Sequence, residues 1–179
     1  MNSAFKLYDV FPVSDTDFNT DKGTLNKVNV SYRPSGKNQN YYFTSSEGYR
    51  RGGVNAVPTE GPLAEDAGWV PFESDTVKNI EFGVKGALAD GTYYNLSYFM
   101  VDWDNPQLNT STPVNGYYAV VNGDTAQING FDVELSGSAG AIDWNVGYSN
   151  KNARLSSDFY TPADTPVLYA RSGAKLPGS

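Results

Sequence analysis

Apolar side chains recur at every second position in several segments of the chain, whereas the spacing of an amphipathic helix does not recur. Phe131, Val133 and Leu135, for example, alternate with polar residues. Each such segment would form a strand with one apolar and one polar face. The same pattern predicts strands at residues 4–10, 27–33, 40–46, 79–85, 95–100, 131–136 and 143–149.

A further strand is predicted to begin at residues 117–121 and to continue through Gln127 and Ile128. Near Gly130 the apolar positions change from even to odd numbers. An extra residue in one strand of a pair produces such a change, so we predict a β-bulge near Gly130.

The segments between the predicted strands alternate between short and long. The short ones are residues 34–39, the hairpin signal Asp90-Gly91 and residues 136–141. The long polar ones cover residues 47–76, 104–116 and 155–179. We therefore predict an antiparallel meander of about seven or eight strands, with short turns at one end and long loops at the other.

Two architectures fit this alternation. A soluble sheet would turn its polar face to solvent, whereas an outer-membrane barrel has short periplasmic turns, long extracellular loops and a polar lumen. About 10 tilted residues per strand would span the apolar layer of the membrane. Inward charges such as Asp132, Glu134 and Lys85 suit a watery lumen. Aromatic residues near strand ends, among them Tyr42 and Trp103, match interfacial girdles.

Composition narrows the possible chemistry. The 179 residues include 13 basic and 20 acidic side chains, a net charge of −7, and neither histidine nor cysteine. An acidic chain is a poor partner for nucleic acid. Without histidine and cysteine, disulfides, Ser-His-Asp catalysis and the common zinc sites are excluded. Asp102, Asp104 and Asn105 lack the remaining ligands of a calcium loop, and Glu65 and Asp66 are interpreted as exposed loop acids. We expect no catalytic residue, metal or cofactor.

The chain shows no sign of targeting or of a membrane helix. Its first twenty residues contain no apolar run, and no stretch of about 18 apolar residues occurs anywhere. One interpretation is a cytoplasmic soluble protein. The other is an internal fragment whose targeting sequence lies upstream.

Six sequence words occur in a fixed order along the chain. They are residues 21–34 (DKGTLNKVNVSYRP), 42–55 (YFTSSEGYRRGGVN), 76–86 (TVKNIEFGVKG), 98–107 (YFMVDWDNPQ), 121–126 with 129–134 (VNGDTA, NGFDVE) and 175–179 (KLPGS). This series resembles the barrel of TonB-dependent outer-membrane receptors. Arg51 stands where that family usually has proline, and Asn105-Pro106 replaces an acidic–apolar pair.

The resemblance implies an all-β fold in which residues 1–179 form part of a transmembrane barrel of about 22 strands, without the plug domain. It implies a transport protein in the Gram-negative outer membrane and not an enzyme. The expected activity is TonB-coupled import of a scarce ligand, a ferric siderophore first, with cobalamin or a glycan as alternatives. Expected partners are that ligand, outer-membrane lipid and lipopolysaccharide, and TonB through a segment absent from this chain. A passive porin and a soluble carbohydrate-binding domain are the rival hypotheses.

In such receptors the ligand binds the extracellular loops and the upper lumen wall. The first candidates are Glu47, Arg50, Arg51 and Asn55, because adjacent guanidinium groups can hold an anionic ligand. Pairing of these arginines with lumen carboxylates, the plug or lipopolysaccharide phosphate is the alternative.

A second candidate set is aromatic. Trp69, Tyr117 and Tyr118, together with Phe72, could stack on a sugar or an aromatic chelator. Interfacial or loop packing is the alternative for these side chains.

Overall fold

The computed structural model describes residues 23–176, so the predicted strand at residues 4–10 lies outside the described residues. Twelve strands and one 3-10 turn, Ala67–Trp69, form within the described part. The strands are β1 Lys27–Tyr32, β2 Gln39–Arg50, β3 Gly53–Val54, β4 Pro71–Phe72, β5 Asp75–Ala87, β6 Tyr93–Asp104, β7 Gln107–Ser111, β8 Tyr118–Asn122, β9 Thr125–Ala139, β10 Ile142–Leu155, β11 Phe159–Tyr160 and β12 Leu168–Ala170. No helix within residues 23–176 is long and apolar enough to cross a membrane.

Six of these strands form one antiparallel sheet in the order β1-β2-β5-β6-β9-β10. Successive long strands are therefore neighbours, which confirms the predicted all-β meander. β2, β5, β6, β9 and β10 have 12, 13, 12, 15 and 14 residues. They are longer than the roughly 10 residues that a membrane-spanning strand would need.

One face of the sheet, here called the outer face, is apolar and exposed. In β6 it presents Leu96, Tyr98 and Met100, which are 39–46 % exposed. The corresponding positions in the other strands are Val28, Val30 and Tyr32; Tyr41 and Phe43; Ile80, Phe82 and Val84; Phe131, Val133 and Leu135; and Trp144, Val146 and Tyr148. Together they form an apolar band across the sheet.

The apolar band changes height across the sheet. From β1 to β6 the apolar positions lie side by side, for example Phe82 opposite Tyr98. In β9 the middle position, Val133, lies opposite Leu96, two residues closer to the short turns. In β10 the middle position, Val146, lies opposite Leu135, which is a further two residues closer to the short turns.

Short turns join the long strands at one end only. The Asp90 carboxylate accepts the Thr92 N–H at 2.9 Å. This backbone hydrogen bond, followed by one from the Thr92 side chain, lowers the pKa of Asp90. The predicted connection at residues 136–141 is too long, since β9 continues to Ala139 and leaves a two-residue turn whose Gly140 has φ +64°. The Ser and Gly residues of that segment interrupt the apolar–polar alternation, so the sequence pattern ended the strand too early. Their backbone groups nevertheless pair normally.

The β-bulge predicted near Gly130 is wrong. Gly130 lies opposite Phe99 and Lys151, and the register continues without a shift on both sides. The predicted continuation of one strand from residues 117–121 is also wrong, because β8 ends at Asn122 and β9 begins at Thr125.

The change in pattern near Gly130 has another cause, which lies on the inner face of the sheet. This face is polar near the short turns, where it carries Glu81, Asp132 and Glu134. Near the long loops it is apolar, with Val101 and Ile128. The loops cover this second part, so its apolar residues are shielded from water and the alternation reverses without an extra residue.

The buried core lies between the sheet and the long loops, not within the sheet. Trp69 from a loop and Leu155 from β10 are 1 % and 5 % exposed. The cluster comprises Val57, Trp69, Ala119, Val121, Ala126, Ala153, Leu155, Phe159 and Leu176. Because strand and loop residues share it, the loops are held against the loop end of the inner face.

Candidate functional site

Three long connections meet at the loop end of the sheet: L1 (residues 51–74), L2 (residues 105–124) and L3 (residues 156–176). We call them the loop cluster. Short strand pairs stiffen each of them, β3–β4 in L1, β7–β8 in L2 and β11–β12 in L3. The cluster therefore has its own backbone hydrogen bonds as well as the shared core.

Asp75, the first residue of β5, joins the sheet to the loop cluster. Its carboxylate is 1 % exposed and forms an ion pair with Arg50 of β2. It also accepts hydrogen bonds from the indole of Trp103 at 2.9 Å and from the Gln107 backbone N–H at 3.1 Å. The Arg50 guanidinium lies 5.1 Å from the centre of the Trp103 ring. One buried charge thus holds β2, β6 and L2 together.

Gln107 closes the base of L1. Its side-chain amide donates to the backbone carbonyl of Arg51 at 2.8 Å and to that of Glu73 at 2.9 Å. These two carbonyls lie near the two ends of L1. The bound backbone of Gln107 and its side chain therefore fix where L1 leaves and re-enters the sheet.

Asn55 makes three side-chain hydrogen bonds, one within L1 and two that connect L1 to β8. Its amide group donates to the carbonyls of Trp69 at 2.8 Å and Val120 at 2.7 Å, and its oxygen accepts the Val120 N–H at 2.8 Å. The side chain therefore satisfies both the N–H and the carbonyl of Val120, as the backbone of a neighbouring strand would.

Glu65 and Asp66 connect L1 to the other two loops. Glu65, at 7 % exposure, accepts the Thr112 hydroxyl and the Asn115 N–H, both at 2.7 Å. Asp66 accepts the N–H of Gly68 at 2.8 Å and that of Asp164 in L3 at 3.1 Å. The interpretation of Glu65 as an exposed loop acid is wrong, because it is a buried acceptor in the loop cluster.

The structure places the predicted basic and polar candidates in different environments. Arg50 is bound to Asp75 and Asn55 is fixed within the loops, whereas the Arg51 side chain is exposed. Glu47 points to the outer face, where it accepts hydrogen bonds from the backbone and side chain of Asn26 at 3.0 and 2.9 Å. These four residues therefore do not form one site.

The aromatic candidates also separate. Trp69 is 1 % exposed and belongs to the core, Tyr117 packs against that core, and Tyr118 is 68 % exposed. Of this set, Tyr118 has its ring open to a ligand in this conformation. The ligand-binding role of all seven candidates stays a prediction.

Two aromatics assigned to interfacial girdles occupy other places. Tyr42 lies on the inner face and donates its hydroxyl to Glu81 at 2.8 Å. Trp103 lies on the inner face beneath the loops, bound to Asp75. The girdle interpretation is therefore wrong for these two residues.

Sequence reasoning missed the acceptors that organise the loops. Asp75 and Glu65 gain their roles from Trp103, Gln107 and Thr112, which are distant in the sequence. No local pattern marks such partners. Within residues 23–176, no three His, Cys, Asp or Glu side chains come together as metal ligands.

Comparison with known protein families gives a match over most of the chain. The family model described as "TonB dependent receptor-like, beta-barrel" covers residues 5–179 of the chain. No curated protein and no solved structure matches it.

Proposed function

The chain belongs to the TonB-dependent receptor family, and from this premise we propose that it forms barrel wall and extracellular loops of a receptor that imports a scarce ligand across the outer membrane. Energy would come from TonB. The cargo proposed first is a ferric siderophore, with cobalamin and glycans as the alternatives. Like the family, the protein would transport its ligand rather than convert it.

The observation that carries the proposal is the separation of the two faces of the sheet. Outer-face residues such as Val30, Phe82 and Val146 are 49–58 % exposed, although exposure to water is unfavourable for such side chains. Lipid would cover them. On the inner face of the same strands, Glu81 and Lys85 would meet water.

The position of the loop cluster supports import of a recognised ligand. Its loops are joined to one another and to the sheet by Asp75, Asn55 and Glu65, so they present a preorganised surface. Arg50 is also exposed but is paired with Asp75, so Arg51 and Tyr118 are the exposed candidates there whose side chains have no partner within residues 23–176. A guanidinium would pair with an anionic chelate, and a phenol ring would stack on it.

Growth of a deletion strain tests the proposal. The strain would be supplied with ferric siderophores, cobalamin or glycans as the limiting nutrient, with and without the intact gene. We expect growth on one ferric siderophore to require both the gene and TonB. If growth on a glycan required the gene, the glycan would replace the siderophore as the proposed ligand. Uptake that persists without TonB would favour a passive porin.

Two variants of the intact receptor test the ligand contacts. Arg51→Gln and Tyr118→Ala should each lower ligand affinity by about tenfold, the effect of losing a charge-assisted hydrogen bond or an aromatic contact. Lys78→Gln is the matched control, because it removes a cation from the outer face. Unchanged affinity in both loop variants would remove these residues from the site.

Partners and location follow from the same proposal. Outer-membrane lipid would cover the apolar band and lipopolysaccharide would surround the outer face beyond it. At the loop end of the outer face the side chains are polar. Asp102 accepts a hydrogen bond from Gln127 at 2.9 Å, and Arg154 donates one to Asn152 at the same distance. Recovery of the intact receptor in the soluble fraction of the cell would contradict this location.

A further inference from the structure

Glu65 of L1 holds the turn that joins β7 to β8, residues 112–117. Its Oε1 atom accepts both the Thr112 hydroxyl and the Asn115 N–H, each at 2.7 Å. The turn leads into Tyr118, the first residue of β8, whose side chain is exposed at the surface of the loop cluster. One carboxylate oxygen therefore holds the backbone that precedes an aromatic candidate for ligand binding.

The Thr112 hydroxyl extends this contact to the start of β8. Its oxygen donates to Glu65 and accepts the Tyr117 N–H at 3.0 Å, while the Thr112 N–H donates to the Tyr117 carbonyl at 2.9 Å. A hydroxyl has one proton, so the bond to Glu65 determines where that proton points and leaves the oxygen free to accept from Tyr117. Donation to a charged acceptor also strengthens the bond that the same oxygen accepts. Glu65 thereby fixes the backbone next to Tyr118.

The direction of the Tyr118 ring follows from its two neighbours. Tyr117 packs against the buried core, and Ala119 is part of that core. Successive side chains of an extended chain point to opposite sides, so Tyr118 between them points outward. A turn that holds Tyr117 in place therefore also holds the Tyr118 ring in one orientation.

Glu65 is itself fixed within L1. Its N–H donates to the Pro58 carbonyl at 2.8 Å, and the Ala64 N–H donates to that of Gly61 at 3.2 Å. The next residue, Asp66, caps the 3-10 turn that ends at the buried Trp69. The carboxylate is therefore in place independently of L2, and the turn of L2 is fitted to it.

The carboxylate is also buried without a cation. Glu65 is 7 % exposed, and the ion pair within residues 23–176 joins Arg50 to Asp75, so no basic side chain there neutralises it. Burial of a charge without an opposite charge is unfavourable. What this arrangement provides is one geometry of the 112–117 turn, not additional apolar burial.

We propose that Glu65 is a positioning residue for ligand recognition, which holds the 112–117 turn so that the Tyr118 ring meets the ligand. This rests on the proposed function, because that function gives Tyr118 its ligand. Glu65 acts through Tyr118 and does not contact the ligand itself. Glutamine at residue 65 keeps a carbonyl oxygen for both donors, whereas alanine removes the acceptor.

Distances between two spin labels in the intact receptor, in detergent micelles, test the positioning. Residues 1–179 contain no cysteine, so Tyr118→Cys and Lys78→Cys place the labels, and any cysteine elsewhere in the receptor is replaced. We expect one narrow distance distribution with glutamate at residue 65, the same with Glu65→Gln, and a broad one with Glu65→Ala. Glu60→Ala is the matched control, because Glu60 is an exposed acid of the same loop. Unchanged gel mobility reports that the barrel is folded.

A narrow distribution in Glu65→Ala would overturn the proposal. Equal broadening in Glu65→Gln and Glu65→Ala would also overturn it, because the acceptor for Thr112 and Asn115 would then not be what holds the turn.

A double-mutant cycle tests whether Glu65 acts through Tyr118. The probe is the iron(III) tris-catecholate complex, which is anionic and aromatic. Tyr118→Ala and Glu65→Ala should each weaken its binding by about tenfold or less, and the double variant should bind no more weakly than Tyr118→Ala alone. Additive losses of about a hundredfold would overturn the proposal. A native receptor that does not bind the complex would count against the proposed ligand, whereas the label distances would still decide whether Glu65 positions residue 118.

Discussion

The indole Nε1 of Trp103 donates a hydrogen bond of 2.9 Å to the carboxylate of Asp75, which is 1 % exposed. Asp75 opens β5 and Trp103 nearly closes β6, so the bond joins neighbouring strands where they leave the sheet. The same carboxylate binds Arg50 and the backbone of Gln107. The base of the loop cluster therefore depends on one acidic side chain.

Asp75→Ala should release the loops while leaving the barrel intact. Trp103 and the Gln107 N–H would lose their acceptor in a buried environment, at a cost of about 2–4 kcal/mol in the free energy of unfolding of the loop cluster. Faster protease cleavage within residues 51–74 and 105–124 of the intact receptor would measure this. Asp104→Ala is the control, since Asp104 is exposed at the same end. Equal cleavage of both variants would contradict the anchoring role of Asp75.

Gly130→Ala should destabilise the sheet. A Cβ atom at Gly130 would clash with the Asn150 carbonyl oxygen and would lie 2.7 Å from the Phe99 ring, so both the backbone and the ring must move. We expect a loss of about 1–3 kcal/mol, measured by urea unfolding of the receptor in lipid vesicles. Gly147→Ala is the matched control on the same face, because a Cβ there meets no atom within 4 Å. Equal unfolding midpoints would show that the Asn150 backbone and the Phe99 ring can both move at little cost.

Val146→Arg should impair insertion into the membrane. Val146 is the middle apolar position of β10 and is 58 % exposed on the outer face. Arginine at the centre of the lipid layer costs about 2–4 kcal/mol. Ser149→Arg, exposed on the inner face of the same strand, should be tolerated. Folding of both variants in vesicles would be followed by gel mobility and urea titration, and equal stability would argue against lipid at Val146.

The 179-residue chain by itself should not form a stable monomer in water. Its core lies under the loops, its outer face is apolar, and β1 and β10 each leave one edge of the sheet unpaired within the described residues. Exposed edges and apolar faces favour association. Sedimentation and thermal unfolding without detergent would test this. A monomer with one cooperative transition would show that the prediction is wrong.

The sequence predicted those parts of the fold in which one environment covers several successive positions of a strand face. Phe131, Val133 and Leu135 alternate with polar residues because the outer face is apolar along this stretch, and the predicted strand at residues 131–136 lies within β9. Near Ile128 the inner face passes beneath the loops, so its pattern reflects tertiary packing and led to a false bulge. Alternation therefore reports the neighbouring medium as well as the backbone.

The candidate site was less predictable for a related reason. Arg51 and Tyr118 are exposed in loops, as their polar surroundings indicate, but Trp69 is buried by residues from other loops. The local sequence indicates a surface acid at Glu65. In the structure its carboxylate accepts hydrogen bonds from Thr112 and Asn115, which are 47 and 50 residues away. Such partners follow from how the loops pack, which no local spacing encodes.

The changing height of the apolar band determines how the strands lean. The band descends by four residues, or about 13 Å, over five strand spacings that together measure about 24 Å. If lipid keeps the band level, the strands must incline by about 30° from the membrane normal, close to the range found in such barrels. Hydrophobic positions chosen separately in each strand thus set the pitch at which the wall would wind around its lumen.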